Sequence, residues 1–193
     1  MNKLKKLFNK YKIDGYIVPK NDEYFNEYVP EYKDRLKFIS NFSGSAGFAI
    51  LLKNKNYLFV DGRYTTQALN QSGKKFKIVT IPQKFPKNII KTNKKIVIGF
   101  DPKLHTEQQL NLLFKIKNVR LKSLKKNLVD IIWSKKRGNY ANPYYIIPKN
   151  VVGTNSKDKI LHVKKYLVKN KIDLLLVTAP ENVAWILNIR GND

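Results

Sequence analysis

The sequence predicts an α/β domain with a mixed sheet flanked by helices, followed by the start of a second unit of similar kind. Three observations carry this reading. Short apolar runs bounded by Gly, Pro and Asn alternate with segments of helical periodicity. Two of those runs are joined by a four-residue turn, the pattern of an antiparallel hairpin, whereas several others come after helices. A basic helical segment leading into Ile-Asp and an apolar run occurs twice, at Ile13–Val18 and at Ile172–Val177.

The elements follow in order. Leu4, Leu7, Phe8 and Tyr11 stand at helical spacing within residues 3–12, with lysines on the opposite face. Asp14-Gly15 breaks that helix. Tyr16–Val18 reads as a short buried strand ended by Pro19. Residues 20–34 read as a long loop, of a length that is usually functional or interfacial. Ala46–Leu52 and Tyr57–Val60 read as strands joined by Lys53-Asn54-Lys55-Asn56. Arg63–Gln71 reads as a helix stopped near Gly73. Lys77–Ile81 and Ile96–Phe100 are further strands. Thr106 with Gln109 forms a capping box, and the helix it opens presents Leu110, Leu113, Phe114 and Ile116 to a core. Val119–Leu121 reads as a strand, and Asn127–Trp133 as a short helix with Leu128, Ile131 and Ile132 inward. Gly138, Pro143, Pro148 and Gly153 mark residues 134–155 as a linker between a first domain at 1–133 and a second unit at 156–193. In that unit Ser156 is expected to cap a helix running to Asn170, with Ile160, Leu161, Val163 and Leu167 apolar. Ile172–Val177 reads as a buried strand, and Pro180 as the first residue of a helix. So short a unit falls near the size below which a core seldom suffices. The second domain is therefore expected to be incomplete and the chain to be a fragment.

Composition narrows the class. The chain has 193 residues, 42% of them apolar, enough for a real core. No apolar run reaches membrane-spanning length, and no signal-peptide pattern follows the basic N-terminus. Cysteine is absent, which fits a reducing, cytoplasmic setting and excludes disulfides and thiolate metal sites. The net charge of +24 admits two readings. One is a nucleic-acid-binding module. The other is a solvated, Lys-rich surface. Arg occurs only at Arg35, Arg63, Arg120, Arg137 and Arg190, and the lysines are spread along the chain with no dominant block. Base and phosphate recognition favours the planar fork of Arg. The solvated surface is the reading adopted, with no specific nucleic acid and no membrane as partner.

A complete active site is not legible. His105 and His162 are the only histidines; one precedes a helix cap and the other lies in a basic helix. Neither belongs to a metal-ligand motif. Asn41–Gly47, Asn-Phe-Ser-Gly-Ser-Ala-Gly, lacks the Lys-Ser/Thr ending of a phosphate loop and reads as tight turns before a strand. Asp61-Gly62-Arg63-Tyr64 is the stronger candidate. It sits past a strand end where a helix opens, Asp61 can cap that helix, and Gly62 permits a sharp turn. Arg63 either pairs with Asp61 or aims its guanidinium at a peptide carbonyl or carboxylate.

Several segments in order resemble the three-domain cytosolic Xaa-Pro aminopeptidases. They are Tyr16-Ile-Val-Pro19, Glu27-Tyr28, Arg35 ahead of Phe38–Gly47, Asp61–Tyr64 with Gln67-Ala68, Gly99-Phe-Asp-Pro102, Asn127–Trp133, Val177-Thr-Ala179 and Trp185-x-x-Asn-x-Arg-Gly191. Val60 stands where that family often has Thr. The resemblance implies a creatinase N-terminal, RNase H-like domain, the start of a second, and a C-terminal pita-bread domain absent from this sequence. That absent domain would hold two divalent metals, usually Mn²⁺, through two Asp, one His and two Glu, together with the catalytic histidines. The implied substrates are peptides with proline second, and the implied partners are the protein's own catalytic domain and a second copy in a homodimer. Arg63 resembles the family's substrate-contacting arginine. A stand-alone peptide-binding homologue without catalysis is the other reading the same motifs allow.

Overall fold

The computed structural model describes residues 1–26, 28–133 and 143–191. Glu27, Asn192, Asp193 and residues 134–142, which include much of the predicted linker, lie outside the described residues. The chain divides into two compact units, Met1–Arg137 and Gly138–Asp193.

The first unit is a six-stranded mixed sheet with helices on both faces. Helix α1 (Asn2–Tyr11) leads into β1 (Gly15–Pro19); α2 (Arg35–Ser40) precedes the hairpin β2 (Gly47–Leu52) and β3 (Asn56–Asp61). Helix α3 (Thr65–Ser72) leads to β4 (Lys77–Ile81), and the short α4 (Pro86–Ile89) to β5 (Ile96–Phe100). Helix α5 (Glu107–Phe114), β6 (Val119–Ser123) and α6 (Leu128–Ile132) complete the unit. The strand order is β4-β3-β2-β1-β5-β6. Only β2 runs against the rest, pairing antiparallel with both β1 and β3, while β3–β4, β1–β5 and β5–β6 pair parallel. Five strands start at one edge of the sheet, the amino edge, and end at the other, the carboxyl edge.

Strand alternation sorts the core into two layers. Tyr16, Val18, Ala49, Leu51, Leu58 and Val60 face a cluster completed by Leu4, Phe8, Leu36 and Leu128. Ile17, Phe48, Ile50 and Phe59 face the other, with Ile98, Phe100 and Phe114. Because both faces are covered, β1 to β3 read as continuous apolar runs. The predicted hairpin, the strands Lys77–Ile81 and Ile96–Phe100, and the Thr106 capping box are all present. In the last, Thr106 Oγ1 accepts from Gln109 N (3.2 Å) and Gln109 Oε1 from Thr106 N (3.3 Å). Two details differ from expectation. Helix α6 buries Leu128 and Val129, whereas Ile131 is 44% exposed, because one turn presents a single face inward. Helices α2 and α4 are too short to show a period.

The second unit contains β7 (Tyr145–Ile146), α7 (Ser156–Lys169), α8 (Pro180–Leu187) and β8 (Ile189–Arg190), with β7 and β8 antiparallel. Asn155, not Ser156, caps α7, accepting from Asp158 N at 2.9 Å. Pro180 opens α8 as expected. The run Ile172–Val177, predicted as a buried strand, pairs with no strand among the described residues, and Leu174 and Leu176 are 80% and 78% exposed. An apolar run becomes a strand only where neighbours take its backbone N–H and C=O groups. The approach to it nonetheless repeats the first unit. Lys12 and Lys171 both have positive φ (52° and 54°), and Ile13 N to Phe8 O (3.0 Å) is matched by Ile172 N to Leu167 O (2.9 Å).

His105 is set between the rings of Phe100 and Phe114, with Nδ1 2.9 Å from the carbonyl of Asp101 and Nε2 buried without a hydrogen-bond partner. Burial lowers its pKa from the ordinary value of 6.5. The unfolded chain therefore takes up a proton near pH 6.5 that the folded chain refuses, so stability falls as pH drops below that point. Urea unfolding at stepped pH should show a loss approaching about 1.4 kcal/mol per pH unit until the folded His105 protonates. His105→Gln should abolish that slope.

Candidate functional site

The Asp61–Tyr64 corner sits where β3 leaves the sheet at the carboxyl edge. Asp61 caps the following turn: its Oδ1 accepts from Arg63 N (3.0 Å) and from Arg63 Nε (2.8 Å). Those two hydrogen bonds hold the Asp61 carboxyl below its ordinary pKa. The Arg63 side chain is 74% exposed and lies over the Tyr64 ring, 5.6 Å from its centroid. The pairing with Asp61 and an outward guanidinium thus coexist.

The Gly-rich segment beside it is braced rather than open. Ser43 N donates to Gln71 Oε1 (2.9 Å), while Ser43 Oγ accepts from Gln67 Nε2 (2.9 Å) and Gln71 Nε2 (3.0 Å). Ser45 Oγ lies 2.8 Å from the Tyr64 hydroxyl. Its glycines answer to crowding, not to turn geometry: among the described residues no glycine has positive φ. A Cβ at Gly44 would meet the Phe42 ring at 2.3 Å, and one at Gly47 would meet Phe59 O at 2.6 Å. Gly62, expected to permit a sharp turn, has only an ordinary 3.7 Å contact for an added Cβ, so its turn does not require glycine.

Sequence reasoning missed a second centre on the same edge. Arg35, 4% exposed at the start of α2, meets Asp130 of α6 through two parallel bonds, Nε to Oδ1 and Nη2 to Oδ2, both 2.9 Å. Its Nη2 also reaches Glu23 Oε1 at 2.6 Å. Burial opposes the guanidinium charge, but Asp130 and then Glu23 more than offset it, and its pKa is raised. Lys20 to Asp34 (2.6 Å) closes the same region. The predicted loop 20–34 is organised on Asp22, a buried carboxylate accepting from Tyr24 N, Asn26 N and Asn26 Nδ2. It carries Phe25 at φ 57° and leaves Tyr24 and Tyr28 exposed. The sequence signals for this centre were the scarcity of Arg and the place of Arg35 and Asn127–Trp133 among the family-like segments, neither of which pairs the two residues.

Neither histidine joins a ligand set. His105 is half-buried between Phe100 and Phe114, and His162 is exposed on α7. Among the described residues no three His, Cys, Asp or Glu converge on a metal position, so these residues do not fit the role of metal ligands. No helix among them is long and apolar enough to cross a membrane.

A mixed sheet with a single reversed strand, covered on both faces and carrying an arginine corner at its carboxyl edge, defines a creatinase-type lobe. The chain belongs to the Creatinase/Prolidase N-terminal domain family, which matches residues 1–131 and, through a second family of that description, residues 135–193. It is 34% identical to the Probable Xaa-Pro aminopeptidase P of Coprinopsis cinerea, over 98% of this chain and 32% of the relative. Aminopeptidase P1 of Lotus japonicus is 33% identical over 94% of this chain and 28% of its own. The chain therefore spans about a third of the length of the curated relatives it matches. Among solved structures, X-prolyl aminopeptidase from Caenorhabditis elegans, described as a cytosolic enzyme with a di-nuclear active site, superposes with a TM-score of 0.80. It is 29% identical, over 100% of this chain and 34% of that one. A Creatinase/Prolidase-like N-terminal domain from Corynebacterium diphtheriae shares the fold, with a TM-score of 0.51 at 21% identity over 64% of this chain and 91% of that one.

Replacing Arg35 by Ala removes the buried cation that Asp130 and Glu23 share, while Lys33 still stands 3.6 Å from Glu23. The expected loss is about 3 kcal/mol, at the low end for a broken buried pair because both carboxylates reach solvent. Chemical unfolding measures it, and Arg35→Lys should recover only part, since Lys cannot bridge two carboxylates with a fork.

Proposed function

We propose that this chain is the N-terminal, substrate-shaping region of a metal-dependent aminopeptidase that hydrolyses the Xaa-Pro bond at peptide N-termini. The observation that carries the proposal is the Arg63 guanidinium, held by Asp61 at the carboxyl edge and turned outward. Its likeness to named Xaa-Pro aminopeptidases over nearly its whole length supports the same reading. The bond-breaking chemistry belongs to a catalytic domain with two divalent metals, Mn²⁺ by expectation, that supply an activated water. This chain's part is to bind. Arg63 donates to a carbonyl or carboxylate of a peptide with proline at its second position. Asp61 fixes the guanidinium by its Nε, and Tyr64 supports its flat face. The partners of the whole protein are then short peptides, its own catalytic domain and a second copy in a homodimer, and its setting is cytosolic.

Steady-state kinetics on the polypeptide that joins this region to its catalytic domain test the role. Arg63→Ala should raise KM or lower kcat/KM by about tenfold or more, the worth of one charge-assisted hydrogen bond, with the fold unchanged. Kinetics equal to those of the parent protein would reject it.

A further inference from the structure

Six lysines that lie far apart in the sequence are brought to one edge by the fold. Strands β1 and β3 to β6 all begin at the amino edge, and the segments entering them are Lys-rich. Lys53 and Lys55 flank the β2–β3 turn, Lys75 and Lys77 precede or begin β4, Lys91 leads toward β5, and Lys117 precedes β6. All six are exposed. The surface between them is a furrow. One concavity of about 480 Å³ runs from Gly73–Lys77 to Asn54–Tyr57. A second, of about 330 Å³, shares Asn54, Lys55 and Tyr57 with the first and continues to Ile90–Thr92. A third, of about 520 Å³, shares Ile90, Lys91 and Thr92 and ends at Lys117–Asn118.

Acidic groups are segregated the other way. Glu23, Asp34, Asp61, Asp101 and Asp130 stand at or beyond strand ends at the carboxyl edge, or pair with residues there. Asp14 is the one acidic residue at the amino edge among the described residues of the first unit. It is occupied: Oδ1 takes Lys53 Nζ at 2.7 Å and Oδ2 takes Val97 N at 2.9 Å.

The geometry points to the amino-edge furrow as a docking surface for the phosphate backbone of single-stranded RNA, bound without sequence preference. The three concavities follow one another along the edge through shared residues, as an extended chain would, and no large apolar side chain exposed among the described residues of the first unit lines them to enter a bilayer. Its cations are lysines, point charges that follow a phosphate chain, with Asn and Thr between them as further hydrogen-bonding groups. No Arg and no exposed aromatic ring lines it, so bases are neither read at their edges nor stacked. This face is opposite the edge that carries Arg63, so its occupancy is independent of the peptidase reading.

Fluorescence anisotropy of the 193-residue chain with a labelled oligouridylate, across a salt series, tests the assignment. Binding through some five lysines, Lys53 being held by Asp14, should weaken with salt at a logarithmic slope of about −3.5. Lys55→Glu/Lys91→Glu/Lys117→Glu should cut affinity by about a hundredfold at low salt. The matched carboxyl-edge variant Lys103→Glu/Lys125→Glu/Lys126→Glu should cut it by less than about fivefold. Lys55→Gln/Lys91→Gln/Lys117→Gln gives the same comparison with a smaller charge change should the reversal variant fail to fold. Equal losses at the two edges would mean diffuse attraction to net charge and would overturn the proposal. So would stronger binding to polyglutamate of equal charge, or to phosphatidylserine vesicles, than to the RNA.

Discussion

The position of β1 is the constraint on which the rest of the first unit depends. All five of its residues are buried, with the antiparallel β2 on one side and the parallel β5 on the other. Gly15 is required there, since a Cβ would lie 2.6 Å from Leu52 Cδ2 and 2.8 Å from Leu51 O. Asp14 fastens the entrance, binding the β5 backbone through Val97 at both its amide and its carboxylate, and Lys53 of the hairpin. One residue thus ties both neighbours of the central strand. Lys53 and the Val97 amide hold the Asp14 carboxyl below its ordinary pKa, so the clamp is set at neutral pH.

Fixing the direction of β1 fixes the polarity of the whole sheet, and with it the division of chemistry. The carboxyl edge collects loops, as open α/β sheets do. There the chain places a buried ion-pair centre around Arg35, an Asx-braced loop with exposed tyrosines, and the Asp61–Tyr64 corner. The Arg35 centre joins α2, α6 and the loop at Glu23 that otherwise have no covalent neighbourhood in common. The stacked rings of Phe38 and Trp133, 4.3 Å apart, reinforce the α2–α6 junction. The Arg63 corner has β3 on one side and the hydrogen-bonded Ser43–Gln67–Gln71 network on the other. The amino edge collects strand entrances, which in this chain are Lys and Asn.

The two units show how the same local sequence logic ends differently in different surroundings. Both open with a basic helix, an αL lysine, an Ile whose amide closes back onto the helix, and an Asp before an apolar run. In the first unit that run is the best-covered strand of the sheet. In the second, Ile172–Val177 has no partner strand among the described residues, and most of it is exposed. The second unit is held instead by polar ties: Lys159 Nζ reaches Trp185 O (2.7 Å) and Asn188 Oδ1 (2.6 Å), and Asn188 Nδ2 reaches Thr154 O (3.1 Å).

By itself the sequence determined the class of fold, the hairpin, most strand positions, the Thr106 cap and the Asp61 cap. These depend on periodicity and on groups a few residues apart, which are local and therefore legible. Only the tertiary structure decided what depends on distant residues meeting. Arg35 finds Asp130 across 95 positions. The glycines at 44 and 47 are explained by the Phe42 ring and the Phe59 carbonyl rather than by turns. Six lysines far apart in the sequence meet on one edge because parallel strands share a starting side. Whether an apolar run becomes a strand is also decided elsewhere in the chain, since a ladder needs a second row of donors and acceptors.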